Sequence, residues 1–154
     1  MEDNIIVTQQ SQFDPMQLTE FFRGVKTKWD EHIKEMSNFK DIRNIAEIQN
    51  VVYSKRQDAC DSILEMDMKI AQYSREYKIK MIERMSYYTS GNIRYSEREA
   101  EKRAQNDLYD LMYKINMFES IRGYMSNTLK TLDDIIYGIS QRVKIEELVQ
   151  GVYK

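Results

Sequence analysis

Apolar residues recur at steps of three and four along most of this 154-residue chain. That spacing stacks side chains on one face of an α-helix. In a first run, Leu18, Phe21, Phe22, Val25, Trp29, Ile33 and Met36 define a helix with one buried face. Asp14 suits its N-cap, Pro15 the tolerated first helical position, and Gln17 completes a box-like spacing. Ser37-Asn38 is the expected break. A second run extends from about Asp41 to Tyr88 along a seam of Ile45, Val52, Ala59, Ile63, Met66, Ile70, Tyr73 and Tyr77. It stops at Thr89-Ser90-Gly91-Asn92, where Gly91 is placed for a left-handed C-terminal turn. Ser96, with Glu99 three residues on, forms a capping box that restarts a helix.

The third run is the most regular. Ala104, Leu108, Leu111, Ile115, Phe118, Met125, Leu129, Leu132, Ile136, Ile139 and Val143 keep a heptad-like rhythm, with Arg122 at the one step that is not apolar. Gly123 and Gly138 lie inside it, each costing about 1 kcal/mol relative to Ala in a helix. Either is a candidate bend, so one helix or two consecutive ones fit the pattern. A stripe this regular calls for a partner helix, from the same chain or another subunit. Taken with the second seam it is longer than a monomer needs, which favours a homo-oligomer. Leu129, Leu132, Ile136, Ile139 and Val143 are the expected oligomerisation residues. The expected organisation is one all-α domain: a mobile arm over 1–13, a helical region over 14–92 and a C-terminal helical oligomerisation region over 93–154.

Composition narrows the classes further. One proline and five glycines are too few for a sandwich or barrel of short strands, and 42% apolar residues are too many for a disordered tail. No stretch approaches the ~18 to 20 apolar residues of a membrane span, and no basic and apolar leader pattern opens the chain. Cys60 is the one cysteine, so no intramolecular disulfide forms and a reducing cytosol is the expected compartment. His32 is the one histidine, which argues against an ordinary zinc site and a Ser-His-Asp arrangement. It reads as a hydrogen-bonded interfacial residue, and Cys60 as a small buried one. Phosphate-cradling and dinucleotide motifs are missing. Asp133-Asp134, Glu146-Glu147 and Asp58, Asp61 and Glu65 read as solvated or ion-paired carboxylates. The expectation is a non-enzyme with no cofactor and no metal.

The net charge of −2 conceals an uneven distribution. Between Lys69 and Arg98 there are seven basic residues against three acidic ones, together with Tyr73, Tyr77, Tyr87, Tyr88 and Tyr95. At ~100° per residue, Tyr73, Tyr77, Lys80, Arg84 and Tyr88 share one side of the helix while Ile79 and Ile82 fall on the other. The inner seam thus turns basic, and the core face is expected to migrate. Basic side chains neutralise phosphates and aromatic rings stack on bases, and single-stranded nucleic acid offers both. Lys78, Lys80, Arg84, Tyr87, Tyr88 and Arg94 are the expected DNA-binding residues. The competing reading is a solvated helix face with its rings lying over a neighbour. A chain of pI 5.6 is no bulk polyanion binder, so such a site is local and salt-sensitive.

The stretch from Tyr53 onward resembles the UvsY family of recombination mediators from T4-type bacteriophages. Tyr53-Ser54-Lys55 near the start of the long helix carries the likeness, with the basic helix end running into Tyr87-Tyr88-Thr89-Ser90-Gly91. The capped helix from Ser96 and the apolar region holding Leu132-Asp133 look like counterparts of the family's C-terminal part. This chain has one residue more between Tyr-Tyr and Gly. At the paired basic positions before Tyr-Tyr, Arg84 matches, but Ile82 stands where the second would be, and Lys80 is the nearest substitute. The resemblance covers about the last 100 residues. It implies a small helical protein that forms a ring-like homo-oligomer through its C-terminal helices and works in the host cytoplasm. It implies partners too: single-stranded DNA, the phage single-strand-binding protein and the strand-exchange recombinase that the mediator helps to load. It implies neither catalysis nor a cofactor. A structural coiled-coil adaptor or assembly chaperone without DNA binding is the alternative.

Overall fold

A computed structural model describes residues 15–37, 45–91 and 94–152. The described residues form four helices and no strand: α1 (Pro15–Ser37), α2 (Ile45–Ser90), α3 (Glu97–Asp107) and α4 (Tyr109–Val152). The fold is all-α. Pro15 opens α1, where its missing N–H and fixed φ cost nothing. Ser37 closes it, its hydroxyl donating to the Ile33 carbonyl. The expected arm over 1–13, the Asp14 cap, Asn38, Asn92 and the start of the second helix at Asp41 lie outside the described residues.

Helices α2 and α4 make an antiparallel hairpin, since Arg56 pairs with Asp133 and Asp67 with Arg122. Helix α1 runs parallel to α4: Thr19 meets Tyr113, and further along both helices Asp30 meets Tyr124. The core lies along α4. Phe118, Ile121, Met125, Thr128, Leu132 and Ile139 are buried in α4, and Val52, Ala59 and Met66 answer from α2 at heptad spacing. Leu18, Trp29 and Met36 of α1 complete the cluster. No helix among the described residues is long and apolar enough to cross a membrane.

Several expectations need correction. In α4 the buried position is Ile121, while Arg122 turns outward to Asp67. The seam therefore steps by three and four from Phe118 through Ile121 to Met125 without a charged position. Gly123 and Gly138 do not break α4, because the buried side chains on either side hold the helix against α2. The interruption falls at Leu108, whose φ of −103° and ψ of 12° separate α3 from α4. Phe21 lies on the exposed side of α1. Gly91 does not adopt a left-handed conformation, since no described glycine has positive φ. Its N–H still bonds the Tyr87 carbonyl at 3.2 Å, which keeps the last turn right-handed. The core face of α2 does not migrate either. Ile79 and Ile82 are exposed, and the inner line continues through Lys80, Arg84 and Tyr88 towards α3.

Candidate nucleic-acid interface

The basic end of α2 is held by the segment that folds back over it. Ser96 caps α3 by accepting a hydrogen bond from the Glu99 N–H at 3.4 Å, half of the expected reciprocal box. Buried Ala100 and Ala104 allow α3 to lie close to its neighbours. Tyr95 is fixed just ahead of that cap, its N–H bonding the Tyr88 carbonyl at 3.2 Å.

Three tyrosines form an edge-to-face chain there. The ring centroids of Tyr87 and Tyr88 are 5.2 Å apart, and those of Tyr88 and Tyr95 are 5.9 Å apart. The guanidinium of Arg103, on α3, sits 4.1 Å from the centre of the Tyr95 ring. Tyr88 donates its hydroxyl to Asp107 at 2.8 Å, and Arg84 approaches the same carboxylate oxygen at 3.7 Å. The bond to Asp107 raises the Tyr88 pKa above its ordinary value. Tyr87 is 66% exposed, so one ring of the chain presents itself to solvent.

Of the expected strand-binding residues, the structure brings together Arg84, Tyr87 and Tyr88. Lys80 stands one turn before Arg84 on the same side, paired with Glu76 at 2.6 Å. Arg94 is exposed beside Tyr95. Lys78 does not join them: at ~100° per residue it projects about 120° around α2 from Arg84. Arg103 and Asp107 were not singled out from the sequence, and Glu99 was read only as a capping-box residue. Their link to the site depends on α3 folding back, which no local spacing encodes.

Three cations at this end have a carboxylate beside them. Lys80 has Glu76, Arg84 has Asp107, and Arg103 has Glu99 at 3.3 Å. All three pairs are partly exposed, where such contacts contribute about 0–1 kcal/mol. They hold the cations weakly and leave them open to exchange with another anion.

The expected oligomerisation residues point elsewhere. Leu132 and Ile139 are buried inside the chain's own core, Leu129 and Ile136 pack against it, and Val143 is half-buried. Leu129, Leu132, Ile136 and Ile139 are thus already covered within a single chain, where α4 packs chiefly against α2. His32 has its Nε2 buried with no hydrogen-bond partner among the described residues, and its Nδ1 lies 3.9 Å from Glu35, so the expected hydrogen bond is not formed there. Cys60 is half-buried. Among the described residues no three His, Cys, Asp or Glu side chains are grouped as metal ligands would be. The chain matches no protein-family model, no curated protein and no solved structure.

Proposed function

We propose that this chain binds single-stranded DNA without catalysing a reaction and serves as a recombination mediator. The observation that carries the DNA-binding part is the Tyr87–Tyr88–Tyr95 chain flanked by Arg84 and Arg103 at one end of the hairpin. Cations beside an exposed ring suit a flexible strand, because its phosphates and unpaired bases are both within reach. The mediator role, the host cytoplasm and the partner proteins rest on the resemblance of the Tyr53-Ser54-Lys55 and Tyr87-Tyr88-Thr89-Ser90-Gly91 segments to UvsY-type proteins. In this role the chain helps load a strand-exchange recombinase onto DNA covered by single-strand-binding protein. Assembly into a ring-like homo-oligomer would line up weak sites along one strand and raise their joint affinity. Light scattering tests assembly: a mass of 18.5 kDa at micromolar concentration contradicts it.

A second reading, an adaptor or assembly chaperone without DNA binding, is favoured by a different feature. Leu64, Met68, Ile79 and Ile82 are exposed along the face of α2 that points away from the core, as a protein partner would require. Titration of a fluorescent oligonucleotide at low and moderate salt separates the two readings. Salt-sensitive binding supports the mediator; no binding even at low salt supports the adaptor.

A further inference from the structure

We propose that Asp107 is a built-in competitor for phosphate: its carboxylate occupies Arg84 and Tyr88 in the free protein and is displaced by a phosphodiester of the bound strand. This inference rests on the single-strand reading above.

Among the three carboxylates at the site, Asp107 is distinctive. Glu76–Lys80 and Glu99–Arg103 are pairs within one helix at i,i+4 spacing. Asp107 instead reaches from α3 to α2 and engages two site residues through one oxygen, Tyr88 at 2.8 Å and Arg84 at 3.7 Å. It is also the last residue of α3. A carboxylate there faces the negative end of the helix dipole, so helix stability does not account for it.

The contact is suited to exchange. Arg84 and Asp107 are both partly exposed, and 3.7 Å is long for a charged hydrogen bond. A phosphate offers the guanidinium two oxygens in the planar geometry that arginine favours. When it replaces the carboxylate, the Tyr88 hydroxyl is released as a second donor beside it. No covalent bond changes.

Fluorescence anisotropy with a labelled thymidine oligonucleotide tests this on five proteins: the unaltered chain, Asp107→Asn, Asp107→Ser, Arg84→Ala and the Arg84→Ala/Asp107→Asn double variant. Asp110→Asn, an exposed neighbour in the first turn of α4, controls for charge alone. Removing the competitor tightens binding about two- to fivefold, the strength of an exposed ion pair. Asp107→Ser shows the same gain, Asp110→Asn a smaller one, and the gain vanishes when Arg84 is also removed. Binding that is unchanged or weaker in both Asp107 variants, or a gain that survives Arg84→Ala, overturns the proposal while leaving the single-strand reading intact. If none of the proteins binds at low salt, the single-strand reading itself fails, and the role of Asp107 fails with it. Melting curves of each variant confirm that the comparison is between folded proteins.

Discussion

Tyr73 of α2 and Phe118 of α4 stack with their ring centroids 5.6 Å apart and their planes 17° from parallel. Lys69 lies 5.4 Å from the centre of the Phe118 ring, and Lys114 lies 6.0 Å from that of Tyr73. Here the α2 seam passes from aliphatic to aromatic on its way to the candidate site. The stack joins the two longest helices, and Phe118 is buried. Phe118→Ala is expected to cost ~3–5 kcal/mol, the range for deleting a buried aromatic ring. Denaturant unfolding measures it, and a loss below about 1 kcal/mol would show that the stack is not a core contact.

The glycines of α4 lead to an opposite expectation. An added Cβ at Gly123 or Gly138 meets no neighbouring atom within 4 Å. Replacing either by Ala removes a helix penalty and is expected to raise stability by up to ~1 kcal/mol. Gly91→Ala is expected to destabilise, because its Cβ would stand 2.9 Å from the Tyr87 carbonyl oxygen. Thermal unfolding of the three variants should move in these two directions. A loss at Gly123 or Gly138 would mean that α4 needs a bend there.

Much of the helical layout was legible because buried side chains on long helices impose their period on the sequence. Pro15, Ser37 and Ser96 mark helix ends through backbone chemistry that one residue type can signal. Leu108 gives no such signal. It is a buried leucine, and its N–H still reaches the Ala104 carbonyl at 3.1 Å, so the interruption is a small backbone change inside an apolar stripe. The partner of the α4 seam was equally hidden, since periodicity reports a buried face without saying which helix covers it. At the candidate site, Arg84, Tyr87 and Tyr88 could be read from α2 alone. Arg103 and Asp107 could not, because tertiary folding brings them there.

Proton linkage offers a third test, at the α1–α4 contact. The Tyr124 hydroxyl donates to Asp30 at 2.9 Å, and the Lys26 carbonyl, at 3.1 Å, shares that one proton. Burial first, and the bond to Asp30 second, push the Tyr124 pKa from 10.0 up to about 12. A raised folded value means that this contribution to stability is complete below pH 10.0 and disappears as the pH rises to about 12. Asp30 has the opposite sign. Its hydrogen bonds with Lys26 and then Tyr124 lower its pKa below 3.8, so its contribution holds above that pH and is lost as acid is added. Tyr124→Phe should shrink the alkaline loss, leaving the share of Tyr88, whose pKa is also raised, and reduce the acid one. Melting temperature against pH checks both limbs, and unchanged limbs in the variant would exclude Tyr124 as their source.

The most direct measurement is the affinity of the chain for a single-stranded oligonucleotide as a function of salt, compared with a Lys80→Ala/Arg84→Ala variant. If the basic end of α2 contacts two phosphates, the slope of log affinity against log salt should become shallower by about 1.4, at ~0.7 per phosphate on a single strand. Affinity should also fall clearly at low salt, with the melting temperature little changed because both side chains are partly exposed. Equal affinity and an equal slope in the two proteins would contradict the assignment of this cluster as the strand-binding site.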